Sequence, residues 1–266
     1  MVTLSNSVST SDFLMAEVLK SGSRNHEVWG ANYWISIQDY RPTDSREIKP
    51  YFTELARDQY AAGVRNFYVE VNAAAADQIQ QWFELGFGLQ HVSATLKNFS
   101  PTKTPPGILI RKPTVDDIEA MAHLEQSLTL FQNESPVFSQ LKADDIEELK
   151  QEWRAEIDKD FLSLFVAEID GEVIALSYGC STEVSQLHSG IMRPENSATF
   201  AFCAVRKDLR GRGIGKAIAS VVIEDLYKRG FSEIVTDWRA TNQTSSNTWP
   251  KLGFNPTLYR LHRAVQ

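Results

Sequence analysis

No apolar run in the sequence approaches the ~18 residues of a membrane-spanning helix, and residues 1–30 lack a signal-peptide core. The expectation is a protein that is neither secreted nor membrane-bound. Cysteine is scarce: Cys180 and Cys203 are the only two, both lie in strand-like runs, and neither calls for a disulfide. That usage suits a reducing cytoplasm. Positive charge is also in deficit, with 27 Lys and Arg against 34 Asp and Glu and a net charge of −7. A nucleic-acid backbone is therefore excluded as a general partner. What remains is ordinary globular material: 266 residues, 42% hydrophobic and 23% charged, enough core for one large or two ordinary domains.

The most informative stretch is Val205 to Gly215, Val-Arg-Lys-Asp-Leu-Arg-Gly-Arg-Gly-Ile-Gly. A strand-like run (Phe200, Phe202, Val205) enters it. The helix leaving at Gly213 has an apolar stripe at Ile214, Ala217, Ile218, Val221, Val222 and Leu226. Free N–H groups of a first helical turn, the helix dipole, and Arg210 and Arg212 together favour an anion at this point. This is a pyrophosphate cradle. The Gly-Lys-Ser/Thr of nucleotide hydrolases is missing, because Lys216 is followed by Ala217. A dinucleotide fingerprint would place its glycines after a first strand with an acidic residue about 20 positions on. Glu233 and Asp237 only roughly qualify.

The pattern Arg210-x-x-Gly213-x-Gly215 after Val205 resembles the acetyl-CoA loop of the GNAT N-acetyltransferases. A second segment, Asn-Gln-Thr-Ser-Ser-Asn-Thr-Trp-Pro-Lys-Leu-Gly-Phe from Asn242 to Phe254, is similar to that family's Asn-x-x-Ala-x-x-x-Tyr-x-Lys-x-Gly-Phe. The resemblance implies a mixed-sheet α/β acyl-CoA N-acyltransferase fold, with acetyl-CoA as co-substrate and no metal. It also implies a CoA site at Cys203, Ala204, Val205, Arg210, Gly211, Arg212, Gly213, Ile214, Gly215, Lys216 and Asn242. Two departures stand out. Trp249 occupies the place of the family's tyrosine, and Thr199 falls where some members carry a glutamate base.

An internal match runs through the chain at a constant offset of 167 residues. Tyr60 matches Tyr227, Gly63 matches Gly230, Trp82 matches Trp249, and Leu85-Gly86-Phe87 match Leu252-Gly253-Phe254. A gapless match of this kind points to duplication. Residues 1–100 then resemble a degenerate GNAT-like unit, residues 101–107 a proline-rich linker, and residues 108–266 a complete unit. Thr43, Asp44, Ser45, Arg46, Glu47 and Ile48 stand where Arg210 to Gly215 stand in the second unit, without a glycine and with two carboxylates. The first unit is expected not to bind CoA.

In the first unit the pattern predicts a helix or strand near Phe13–Lys20 and a strand at Tyr33–Ile37. A helix on Ile48, Phe52, Leu55 and Ala56, a strand at Val64–Val71 and a helix at Ala73–Phe83 follow. In the second it predicts a strand at Ile108–Arg111. Thr114 and Asp117 form a capping box opening a helix with Val115, Ile118, Met121 and Ala122 inward. A helix at Ala143–Asp158 should bury Ile146, Leu149, Trp153 and Ile157. A hairpin turns on Asp170-Gly171, and strands follow at Ala198–Val205, Phe231–Trp238 and Thr257–Val265.

If the resemblance holds, the Ala198–Val205 and Phe231–Trp238 strands splay apart and pantetheine enters the gap. A primary amine of a small molecule or a peptide then attacks the acetyl thioester directly. An ammonium must first lose a proton, and Asp237, Glu183 and His188 are the candidates to take it. Tyr259 is a candidate proton donor to the leaving thiolate. Cys203 has no histidine beside it to support an acetyl-cysteine intermediate. The alternative is a CoA-binding sensor or scaffold without catalysis. Oligomeric state and acyl length stay open.

Overall fold

The computed structural model describes residues 15–18, 33–37, 45–134, 144–185 and 192–266. The first part contains β1 (Met15–Val18), β2 (Tyr33–Ile37), α1 (Ile48–Ala61), β3 (Asn66–Asn72), α2 (Ala76–Glu84) and β4 (Gly88–Leu96). The second contains β5 (Leu109–Arg111), α3 (Ile118–Asn133), α4 (Ile146–Glu156), β6 (Ser163–Ile169), β7 (Glu172–Ser181) and the short α5 (Thr182–Ser185). It continues with β8 (Ser197–Val205), α6 (Ile214–Lys228), β9 (Glu233–Arg239), α7 (Gln243–Thr248) and β10 (Asn255–Ala264). All ten strands form one mixed sheet in the order β1-β2-β3-β10-β4-β9-β8-β7-β6-β5.

Most elements fall where the apolar spacing puts them, and the differences have local causes. The second predicted helix begins at Ala76 rather than Ala73. The Asn72 side chain takes the Ala74 N–H at 2.9 Å and holds the intervening residues in a turn. Asp117 accepts from the Thr114 N–H at 2.6 Å, as a capping box requires, and also binds the Arg111 guanidinium. Val115, expected inward, is 65% exposed because the first turn is a 3-10 turn that swings it off the apolar stripe. Asp145 caps α4, where only Leu149 and Trp153 are buried; Ile146 and Ile157 remain partly exposed. The Asp170-Gly171 turn has both residues at positive φ, 50° and 83°, as a two-residue hairpin requires.

β4 was not foreseen, and it changes the architecture. It is hydrogen-bonded to β10 on one edge and β9 on the other, while β10 lies between β3 and β4. A strand from the first 100 residues thus sits inside the sheet of the following ones. The offset of 167 residues reappears in this arrangement: β3 maps onto β9, α1 onto α6 and β4 onto β10. Val92 pairs with Tyr259, its own equivalent at that offset, so a local two-fold axis passes between β4 and β10. The pairing of Val71 with Tyr259 is repeated as that of Trp238 with Val92.

α1 and α2 cover β3 through Phe52, Trp82, Val69 and Leu261, and α6 covers β9 and β4 on the same face. The opposite face is covered by α3 and α4 over β6 to β8, through Met121, Trp153, Leu164, Leu176 and Phe202. The segment 101–107 has no helix or strand but is docked, its Thr102 N–H donating to Ser220 Oγ at 2.8 Å.

Candidate active site

The cradle forms as the glycine pattern requires. Gly211 and Gly213 have φ of 80° and 82°, a region costly for other residues, and Gly213 is the N-cap of α6. The first N–H groups of α6 have no partner within the helix. The Arg210 Nε donates to the Val205 carbonyl at 2.9 Å, and its guanidinium lies 5.3 Å from the centre of the Phe131 ring. Arg210 therefore fixes the loop to the end of β8 as well as charging it. The Ile214 side chain is buried in the core with Ile174 and Ile218, which leaves only its N–H for a ligand. Gly211, Gly213, Gly215 and Lys216 line a cavity of about 400 Å³; Arg212 does not.

That cavity occupies a gap between two strands. β8 and β9 run parallel and pair only at Ser197–Glu233, Ala198–Ile234 and Thr199–Val235. Beyond Thr199 the β9-facing edge of β8 has no strand partner among the described residues. Cys203, Ala204 and Val205 line the cavity from this edge, and Asn242 and Trp249 line it from the far side. Asn242 also caps α7, accepting the Ser245 N–H at 3.2 Å. Arg210, Lys216 and Lys251 bring positive charge, and no carboxylate is in the described lining. A chain of net charge −7 thus places a cationic cavity against a helix N-terminus.

A bulge shapes the strand at the gap. Tyr178 pairs with Phe202 but the next residue, Gly179, pairs with Phe200, so Ala201 is the extra residue. The bulge inverts the facing of β8: Phe200 packs under α6, whereas Phe202 packs under α3. Gly179 is obligatory opposite it, since a Cβ there would lie 2.6 Å from the Thr199 carbonyl oxygen.

Of the described candidate proton acceptors, Asp237 stands on β9 beside the gap but is not in the cavity lining. Ile234 and Trp238 pack under α6, while Val235 packs on the other face with Met192 and Leu258. Asp237 shares the face of Val235, two residues beyond the last β8–β9 pair and level with the bulge. Its carboxylate contacts His91 of β4. Glu183 is exposed on α5, at the end of β8 opposite the cradle. His188 lies outside the described residues. Tyr259 packs between the apolar clusters of the two halves on the helix face, and it is not in the cavity lining. Thr199 is buried and shares a hydrogen bond with Ser185 at 2.9 Å. Burial pushes the Cys203 thiol up to about 12, the opposite of an activated nucleophile. Trp249 is buried with its ring edge-on to Phe200 at 5.2 Å.

Sequence reasoning missed two groups. One is Glu125 of α3, which accepts from Tyr178 Oη at 3.0 Å, with its carboxyl pushed up by burial. The ring of Tyr178 stacks on Phe202 at 5.3 Å. The other is the row of polar residues Arg239, His91, Arg260 and Glu70 across β9, β4, β10 and β3. The period-two alternation of β4 was the available signal for that row.

Residues 125–254 match the family model described as "Acetyltransferase (GNAT) family". No curated protein matches the chain. Among solved structures, a GCN5-related N-acetyltransferase from Sphaerobacter thermophilus is similar, with a TM-score of 0.59 and 14% identity over 94% of this chain and 76% of that one. An acetyltransferase of the GNAT family from Colwellia psychrerythraea gives 0.55 and 14%, over 88% of this chain and 78% of its own. A GCN5-related N-acetyltransferase from Kribbella flavida gives 0.51 and 13%, over 86% and 79%. Residues 125–254 thus match the GNAT acetyltransferase family, and the chain shares the fold of these solved structures.

Proposed function

We propose that the protein is an acetyl-CoA-dependent N-acetyltransferase that acetylates a primary amine of a small molecule or peptide within a ternary complex. The observation that carries the reading is the cationic cavity in the β8–β9 gap, ending on the glycine turn at the N-terminus of α6. The residues fit CoA. Gly211 to Gly215 and the first α6 N–H groups suit a pyrophosphate, with Arg210, Lys216 and Lys251 supplying countercharge. The open edge of β8 at Cys203 to Val205 suits the amides of a pantetheine arm. When bound, acetyl-CoA supplies a thioester carbonyl: the free amine forms the new C–N bond, the C–S bond breaks, and the thiolate departs.

The chain's own residues handle protons and position. Asp237 takes one proton from the substrate ammonium, freeing the lone pair that attacks. A backbone N–H at the Ala201 bulge stabilises the oxygen that gains charge. The nitrogen proton lost as the amide forms neutralises the thiolate, so the net change is ammonium plus thioester to amide, thiol and one released proton. Trp249 cannot deliver that proton, because indole N–H does not ionise in the working range. The basicity of Cys203 favours direct attack over an acetyl-cysteine route. The preferred setting is the cytoplasm, with residues 1–100 a degenerate copy of the unit in 108–266.

The test is thiol release from acetyl-CoA across an amine panel. Asp237→Asn should lower kcat by about 10²–10⁴-fold with CoA affinity unchanged. Such a loss in Glu125→Gln instead would move the proton-accepting role to α3. Tight CoA binding without turnover on any amine would favour a sensor or scaffold, the reading motivated by the absent tyrosine and glutamate.

A further inference from the structure

The Asp237 carboxylate is held by a strand from the other half of the chain. His91 stands on β4, cross-strand from Arg239 of β9 on one side and from Arg260 of β10 on the other. Its Nδ1 faces Arg260 Nη2, and its Nε2 faces Asp237 Oδ2. A guanidinium has no acceptor, so Nδ1 must be the accepting nitrogen. The imidazole proton then sits on Nε2, the nitrogen in contact with Asp237 Oδ2. Arg260 is itself fixed, its Nε donating to Gln90 Oε1 at 2.9 Å. The side chain of His91 is 12% exposed and that of Asp237 35%, so the inner end of this chain of contacts is enclosed and the carboxylate end is open.

We infer that His91 is a positioning residue for catalysis: it carries a fixed N–H from the first half of the chain to Asp237 and orients that carboxylate for the substrate ammonium. The inference rests on the acetyltransferase reading and on Asp237 as its base. It assigns the first half a chemical role although no glycine cradle stands among its described residues. The charged groups that act on His91 are Asp237 and Arg239 on β9 and Arg260 on β10, while Glu70 and Tyr68 on β3 and His262 on β10 interact with Arg260. Burial, then the neighbouring Arg260, pushes His91 down to about 4, with Asp237 opposing. The ring therefore stays neutral through the pH range of an assay, a fixed donor and not a proton store.

The experiment combines two substitutions with a spectrum of the unaltered protein. Gln at this position offers an acceptor to Arg260 and a donor to Asp237, whereas Leu offers neither. His91→Leu should lower kcat by about 10–100-fold, a fraction of the effect of losing the base itself. It should also move the acid limb of kcat/KM to higher pH and leave CoA affinity unchanged. His91→Gln should restore most of kcat and return the limb. An active His91→Leu enzyme with an unmoved limb would overturn the inference, as would a Gln variant no better than Leu. In the full-length protein with CoA, ¹⁵N-histidine spectra at pH 6–8 should show His91 neutral with the proton on Nε2. A proton on Nδ1, or an imidazolium at pH 6, would overturn it without reference to turnover. An absence of thiol release from unaltered protein across the amine panel would count against the acetyltransferase reading, while the spectra would still decide the orientation of His91.

Discussion

Residues 45–47 and 212–214 occupy the same place in the two halves of the chain, and they differ in backbone as much as in charge. Ser45, Arg46 and Glu47 form a 3-10 turn that runs directly into α1, with Glu47 at φ −78°. Arg212, Gly213 and Ile214 enter α6 through a left-handed Gly213 at φ 82°. Only the second path turns consecutive N–H groups toward one point. The carboxylates Glu70 and Asp237 are equivalent in the same way. Glu70 is pushed up mainly by burial, while the Asp237 side chain is 35% exposed and contacts His91. The two halves share the order of helix and strands at the 167-residue offset, and the left-handed glycine turn enters the helix only in the second.

The largest break in this comparison comes from removing the first half. A chain of residues 106–266 loses β4, which leaves the facing edges of β9 and β10 without a partner and strips the cover from Trp238 and Leu252. It is expected to aggregate or to lack activity. A stable, monomeric and fully active product, judged by light scattering and thiol release, would make the halves independent.

Gly213→Asp makes the second half resemble the first. A carboxylate and a Cβ at positive φ oppose the pyrophosphate, and CoA affinity should fall by about 10³-fold, roughly 4 kcal/mol. The strain at this positive φ stays in the turn and the fold should survive, because outside its own segment the new Cβ meets nothing nearer than Pro105 at 3.8 Å. Unchanged affinity in calorimetry would remove the loop from the site.

His91 sharpens the comparison, since its counterpart at the repeat offset is Leu258. Its folded pKa of about 4 lies below the ordinary 6.5. The unfolded chain therefore binds the proton first as pH falls. The stability linked to this group is complete above pH 6.5 and lost between there and pH 4, on the order of 3 kcal/mol. In urea melts, His91→Gln should flatten that part of the stability–pH curve. An unaltered slope would mean that the histidine does not titrate as its burial requires.

The smallest effect is expected at Trp249, whose counterpart Trp82 packs against Phe52 and Phe87 in the first half. Packing against Phe200 is the shared role. Trp249→Phe should lower stability or CoA affinity and leave kcat within about tenfold, below the usual effect of losing an acid–base group. A thousandfold loss of kcat at saturating CoA, with fold and affinity intact, would make the indole a direct participant.

The cradle was legible because its chemistry is written in consecutive residues: a glycine at positive φ, the helix start after it, and the arginine before it. The same holds for the Asp170-Gly171 turn and the capping box at Thr114. β4 was within reach, since Gly88 to Leu96 is the image of the predicted β10 at the repeat offset. The contact of His91 with Asp237 was not. It joins residues 146 positions apart, and it exists because the last strand of each half lies inside the other. No local periodicity encodes that exchange. Val115 failed for a smaller reason, as helical spacing does not hold in a 3-10 first turn.

The most direct test of the account is the number of CoA molecules bound per chain. Among the described residues the glycine cradle lies at Arg210 to Gly215, and residues 45–47 form a 3-10 turn without a left-handed residue. Titration calorimetry of the full chain with acetyl-CoA should therefore return one site, and Gly213→Asp should abolish it at the same concentrations. Two sites per chain, or one site that survives Gly213→Asp, would contradict it.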